Sequence, residues 1–430
     1  MIGKRKSTLS WAQEAVENSI DGATGLPDTA GLTFAAAPVS RVAVGYDGQT
    51  EPALKVDHAT GSGGMEAPEV ETAGWSAGVP QQRRFGTIKL DGEVMTPSVG
   101  DQADTFLHAV LSTSLGFTAV AAETSDAVAA ANTASSWTAT DASKYVIGAV
   151  VMRKYQGRVE QARITNKVGS VITVAPAFSS APANGNLINM CTCYYPEAGT
   201  PAIGGSPNRK PLALRMDSTG IRWTAVGCRM QSLDLSLDGE DKRTLRWAAS
   251  MMSPLIQDDN ASASIGTLVP ATVGSVCTHL MAEDVYSAAF TNTAPVTAAR
   301  TRLTCTEWSA HVECGLSPRG HGTDMAGIAG YDVTKEDGTL TVLCQPVAAF
   351  TTMRLKREAR TVFCTAIGVG PDTIQGVGFL VSNATLQDPM LPELDDEKVM
   401  HHPTFTAGPW RGSNATTAMA KAPWIFAVMS

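Results

Sequence analysis

The stretch Leu233-Asp234-Leu235-Ser236-Leu237-Asp238 alternates apolar and polar residues without a break. Successive side chains of a strand point to opposite faces, so one face here is buried and the other wet. The next residues, Gly239-Glu240-Asp241-Lys242-Arg243, are all turn and charge. The alternation then resumes, with Leu245, Trp247, Ala249 and Met251 on the apolar side and Thr244, Arg246 and Ser250 on the polar side. This pattern predicts an antiparallel hairpin over 231–251, with a core face of Leu233, Leu235, Leu237, Leu245 and Trp247. It makes the chain mainly β.

A second stretch repeats the device. Trp308, Ala310, Val312, Cys314 and Leu316 alternate with Glu307, Ser309, His311 and Glu313. The loop 317–324, which carries Arg319 and His321, is again polar and glycine-rich, and return strands follow at 328–333 and 340–344. A helical patch near 351–357 and strands near 362–367, 378–384 and 424–428 complete this half. Two long hairpins in halves of similar length predict tandem related β domains.

At the N-terminal end, residues 1–86 are broken by Gly22–Pro27, Gly45-Tyr46-Asp47-Gly48 and Gly61-Ser62-Gly63-Gly64, and read as an extended N-terminal arm. After Pro97, Ser98 is placed to cap a helix whose Phe106, Leu107, Val110, Leu111 and Leu115 recur at helical spacing, with Gly116 as its stop. Residues 117–143, rich in Ala, Ser and Thr, read as surface or a loose connection. Strand patterns at 146–155, 158–165, 171–178 and 187–195 predict a small β insertion over 144–198, and a Pro/Gly-rich linker occupies 196–211. The expected organisation is an arm over 1–86, a first β domain over 87–255 containing the insertion, and a second over 256–430.

Composition narrows the function. The chain has 430 residues, 43% hydrophobic and 17% charged, with 33 basic against 41 acidic residues for a net charge of −8. Apolar content is too high and charge too low for a disordered chain. No apolar run approaches the roughly 20 residues of a membrane helix, so no membrane partner is expected. An acidic chain without Lys/Arg clusters is poorly suited to gripping phosphates. The basic opening Met1-Ile2-Gly3-Lys4-Arg5-Lys6 lacks the apolar block of a signal peptide, so folding in a reducing cytoplasm is expected, with the 8 cysteines as small buried hydrophobes. Cys191-x-Cys193 lacks the second ligand pair of a zinc site.

The residues hold little catalytic chemistry. Gly74-Trp75-Ser76-Ala77-Gly78 fits a nucleophile-elbow pattern, but Glu69, Glu71 and Thr72 precede it where a buried strand is needed. His401 and His402 are adjacent, so on an extended chain they point opposite ways and share no metal. His311 lies on a wet strand face. No phosphate-cradling glycine loop occurs, and Trp75, Trp137, Trp410 and Trp424 are too scattered to suggest a carbohydrate platform. The reading is no enzyme, no cofactor and no metal. Alternating strands with exposed edges instead suit assembly with further copies.

The order of these patterns resembles the tail tube proteins of long-tailed, non-contractile bacteriophages. The residues carrying the resemblance are Gly86-Thr87-Ile88-Lys89-Leu90-Asp91-Gly92 before Pro97 and the helix; Trp223–Met230 running into the hairpin 231–251; Gly378-Phe379-Leu380-Val381; an Asp388-Pro389 turn; and the strand pair 404–407 and 424–428. The resemblance implies a β-sandwich or incomplete barrel flanked by a helix, stacking as rings into a DNA-conducting tube. On it, Ser232, Asp234, Ser236 and Arg246 face the bore or a neighbouring subunit. Asp238, Gly239, Glu240, Asp241, Lys242 and Arg243, with Arg319 and His321, reach the adjacent ring. A tandem chain implies rings of three, a single-domain chain rings of six. The implied partners are further copies of the chain, the terminator, tape measure and distal tail proteins, and DNA in passage; the implied location is the virion tail, assembled in the host cytoplasm. Another tail or capsid component, such as a terminator, baseplate or decoration protein, is the alternative.

Overall fold

The computed structural model of the chain describes residues 7–14, 28–37, 41–45, 57–59, 83–96, 105–118, 125–155, 158–197, 209–218, 221–238, 245–259, 275–285, 300–319, 330–356, 359–368, 376–386, 392–395, 398–410 and 417–429. The first elements are β1 (Ser7–Gln13), β2 (Ala35–Ala36), β3 (Arg41–Gly45), β4 (Asp57–Ala59), β5 (Arg83–Glu93), β6 (Met95–Thr96), α1 (Thr105–Ser112) and β7 (Gly116–Thr118). Next come β8 (Ser125–Thr133), β9 (Ser136–Ala139), β10 (Val150–Tyr155), β11 (Arg158–Val168), β12 (Val171–Ala175) and β13 (Leu187–Met190). They lead to β14 (Thr192–Tyr195), β15 (Leu212–Ser218), β16 (Ile221–Asp238), β17 (Arg246–Ser253) and β18 (Leu255–Asp259). The second half contains β19 (Ser275–Val285), β20 (Arg300–Leu303), β21 (Cys305–Arg319), β22 (Gly330–Cys344), α2 (Ala348–Lys356), β23 (Arg360–Gly368) and β24 (Gly376–Leu386). It ends with β25 (Pro392–Asp395), β26 (Lys398–His401), β27 (Thr404–Thr406), α3 (Ala418–Lys421) and β28 (Trp424–Met429).

The protein is mainly antiparallel β. An inner sheet runs β3–β5–β17–β16–β21–β22–β27–β24. One outer sheet is β2–β1–β15–β16–β18. The other is β20–β19–β23–β24–β28–β14–β7. β16 and β24 each start in an outer sheet and finish in the inner one, which joins the layers covalently. Between the layers lies the main core, where Leu233, Leu235, Leu237, Leu245 and Trp247 are all buried with Phe106 and Val110 of α1. Each such side chain removed from water contributes about 2 kcal/mol. Trp247 lies across the strand from Gly92, where a Cβ would come within 2.7 Å of the indole, so only glycine fits beneath that ring.

The pairings occur twice in the same order. β1 pairs β2 and β15, β15 pairs β16, and β16 pairs β18 and β17, while β5 pairs β3 and β17. In the second half β19 pairs β20 and β23, β23 pairs β24, and β24 pairs β28 and β27, while β22 pairs β21 and β27. In both halves the helix follows the second strand of the first inner hairpin. The two long hairpins of the sequence are thus joined edge to edge, with Leu233 opposite Val312 and Leu237 opposite Trp308.

Three sequence expectations change. Residues 1–86 contain the first strands of the first half rather than a separate arm: β1 makes a seven-residue ladder with β15 and buries Leu9 and Ala12. Its alternation is too short to stand out between glycine-rich stretches. Within the expected loose connection 117–143, residues 125–139 instead form β8 and β9, which complete a closed six-stranded barrel, β10–β11–β12–β9–β8–β13. Its core is built partly of small residues, Ala139, Ala149 and Ala162, beside Trp137, which is why its strands read as weakly apolar. The insertion accordingly spans 125–190, and β14 leaves it to pair with β28 and β7. Finally, α1 stops at Ser112, before Gly116. The hydroxyls of Ser112 and Thr113 donate to the carbonyls of Ala109 and Val110, closing the last turn with side chains instead of a glycine. The expected cap Ser98 lies outside the described residues.

Candidate assembly surface

The alternation that buries one face of the inner sheet necessarily presents the other. Its residues line up in rows across the strands. One row runs Arg41, Asp91, Ala248, Asp234, His311, Thr339, Thr406, Thr385. The row on one side runs Glu93, Arg246, Ser236, Ser309, Thr341, Thr404; that on the other runs Lys89, Ser250, Ser232, Glu313, Asp337. Asp234 and Ser236 are exposed, while Ser232 and Arg246 are half-buried. These four therefore stand on the wet face, as their alternation requires. In the three rows the carboxylates of Asp91, Glu93, Asp234, Glu313 and Asp337 outnumber the cations Lys89 and Arg246, even when Arg41 is counted by its register position. The face is mildly acidic and hydroxyl-rich, so it offers phosphate no continuous cationic track.

The sheet ends differently from the way it is joined in the middle. Among the described residues β3 pairs along one side only, with β5. At the far end the last residues of β24, Thr385 and Leu386, pair with β27, and β25 pairs with β26. Both ends thus carry a row of backbone groups pointing away from the sheet. Pro392, which lacks an N–H, stands at the first residue of β25, a position that edge strands tolerate. In the middle the corresponding edges of the two halves, β16 and β21, are satisfied by each other.

Side-chain contacts lie at that central seam and beside it. Asp234 Oδ1 lies 2.6 Å from His311 Nδ1, with both side chains exposed. Deeper, Arg209 Nη2 lies 2.6 Å from Glu336 Oε1 and Arg209 Nε 3.1 Å from Glu197 Oε2, tying the segment before β15 to β22. Burial pushes the Glu336 carboxyl above its ordinary value against the pull of Arg209.

The barrel is fixed to this scaffold by a group the sequence did not single out. Arg163 on β11 is buried, and its Nε donates to Gly148 O at 3.0 Å, while its Nη1 donates to Ser382 Oγ at 2.9 Å and Ala422 O at 3.0 Å. Its Nη2 donates to Met419 O, and the guanidinium lies 5.0 Å over the Trp410 ring. Burial pushes its pKa down to about 9, which still leaves the group charged at neutral pH. Gly148, at φ +97°, lets the barrel backbone approach Ala420, where a Cβ would come within 2.6 Å of main-chain atoms. Inside the barrel, Arg153 and Glu160 form a second buried pair at 2.7 Å.

The remaining expectations divide. Arg319 sits on β21 beside Asp332 at 3.6 Å. Asp238 ends β16, whereas Gly239, Glu240, Asp241, Lys242, Arg243, His321 and the Ser76 elbow lie outside the described residues. His401 is half-buried and His402 exposed. Among the described residues no group of three or more His, Cys, Asp and Glu side chains is placed to hold a metal ion. Among them, too, no helix is long and apolar enough to cross a membrane.

No protein-family model matches the chain, and a search of curated proteins returns no match.

Proposed function

We propose that the chain is a structural subunit that closes laterally with copies of itself into a ring, and that stacked rings form the tube of a phage tail. The observation carrying this reading is the central seam. The last inner strand of the first half, β16, pairs with the first inner strand of the second half, β21. Among the described residues the same two kinds of edge stand open at the ends of the sheet, β24–β25 at one and β3 at the other. A head-to-tail contact of this sort forms a closed ring when its rotation closes. Each chain supplies two equivalent halves, so three chains make a pseudo-six-fold ring.

The wet face of the inner sheet then lines the bore. Its mild acidity and abundant hydroxyls let DNA pass without the counterion-release affinity that a Lys/Arg lining creates. The role is architectural rather than catalytic. The partners are further copies of the chain and the proteins at the ends and interior of a tail, such as the terminator, distal tail and tape measure proteins. The test is electron microscopy and native mass measurement of the purified chain across concentration. Rings of three chains that stack into tubes are the expected result. A particle that stays monomeric at every concentration overturns the reading, and rings that never stack redirect it to a terminator.

A further inference from the structure

The second half holds a pair of thiols that ring closure does not use. Cys305 on β21 stands directly opposite Cys344 on β22. The register slips by one residue between Cys305 and Glu307. This slip moves Cys305 onto the core side, the side of Trp308, Ala310 and Val312; an unbroken alternation would have pointed it outward.

The ladder also fixes which kind of opposed pair this is. The Gln345 N–H donates to Thr304 O at 2.9 Å. That bond joins the residues just outside the two cysteines, so Cys305 and Cys344 form a non-hydrogen-bonded pair. In such pairs the Cα atoms approach to about 4.5 Å and the side chains lie closest. A disulfide needs Cα atoms roughly 4.4–6.8 Å apart, with Cβ atoms about 3.5–4.5 Å apart. Both sulfurs are thiols in the structure, Cys305 half-buried and Cys344 buried behind it. Cys364 on β23 is buried in the same core cluster as Cys344, against which Cys305 packs.

We propose that Cys305 and Cys344 are a disulfide site, closed by a small disulfide oxidant of the glutathione class once the protein leaves a reducing compartment. The half-buried Cys305, as its thiolate, attacks one sulfur of oxidised glutathione and expels a glutathione thiolate. Cys344 then loses its proton and attacks the Cys305 sulfur, expelling the second glutathione. Two protein thiols are oxidised to one disulfide, and one glutathione disulfide is reduced to two thiols. The bond closes the open end of the β21–β22 hairpin, where β20 enters and α2 leaves. It forms within one chain and stands whether or not the rings exist.

The experiment incubates the full chain with oxidised glutathione, quenches with acid, alkylates the remaining thiols and maps peptides without reduction. Cleavage at Glu, Lys and Arg separates Cys305 from Cys314. The expected result is the loss of two titratable thiols and one linked peptide joining Cys305 to Cys344. Cys344→Ser is expected to stop at glutathione attached to Cys305, and Cys364→Ser to leave the link intact. The wild-type map needs no variant to fold. An undiminished thiol count, a wild-type reaction that stops at the mixed disulfide, or a link involving Cys364 or another cysteine overturns the proposal.

Discussion

The barrel of residues 125–190 and the inner sheet treat the same backbone requirement in opposite ways. Every strand of the barrel has a neighbour on both sides, because its six strands close on themselves. The inner sheet satisfies its middle edges at β16–β21 and, among the described residues, leaves β3 and the β24–β25 end outward. The barrel pairs Arg153 with Glu160 out of water and turns its buried Arg163 onto carbonyls of the scaffold, whereas the inner sheet displays Asp234 and His311 to solvent. One region closes its own edges and is held to the scaffold by Arg163, and the other carries the edges on which the proposed ring rests.

The largest expected effects come from the two cores. Trp137 and Trp247 are each almost wholly buried, so changing either to alanine costs about 3–5 kcal/mol in chemical denaturation. Their consequences should part. Trp137→Ala loosens the barrel and leaves rings intact, whereas Trp247→Ala, beneath the inner sheet, abolishes them. Equal loss of rings in both variants would erase the distinction between the regions.

Next is the Arg163 attachment. Arg163→Met removes every hydrogen bond from the guanidinium and leaves the carbonyls of Gly148, Met419 and Ala422 short of a donor. The expected loss is about 3 kcal/mol, with faster amide exchange at the barrel–scaffold contact. A variant as stable as the parent would show that apolar packing of Ile425, Leu380 and Phe363 against the barrel suffices.

The smallest effect is a pH slope. His108 on α1 is held below the ordinary histidine value of 6.5 by burial, with Nδ1 2.7 Å from the Tyr194 hydroxyl. The unfolded chain therefore binds this proton more tightly than the folded one. The stability the neutral ring contributes is complete above pH 6.5 and is lost as pH falls below it toward the depressed folded value. Melting temperatures of a His108→Gln variant are expected to fall less steeply over that acid window than those of the parent. Parallel slopes would contradict the assignment.

Much of the inner sheet was legible because its strands bury one face and wet the other, which is the condition under which alternation appears. Leu233 through Trp247 and Trp308 through Cys314 stand out for that reason. β11 was legible only as a strand. Its Gln161, Arg163 and Thr165 occupy the face that alternation assigns to water, yet the scaffold covers that face and buries all three. No period of polarity distinguishes a solvated arginine from one that caps another domain's carbonyls. The pairing of β1 with β15 was hidden for a different reason. Its partner lies some two hundred residues away, beyond the inserted barrel, and only the ladder brings them together.

In the proposed ring the outward edge of β3 is filled by another copy of the chain. Amide hydrogen exchange of residues 41–45, compared between assembled and dissociated protein, tests it most directly. The N–H groups that point away from β5 are expected to exchange freely in the single chain and to become protected on assembly, as backbone carbonyls of the incoming strand take them up. Unchanged exchange at β3 in protein that has assembled would mean that the copies meet elsewhere, and the lateral sheet would be contradicted.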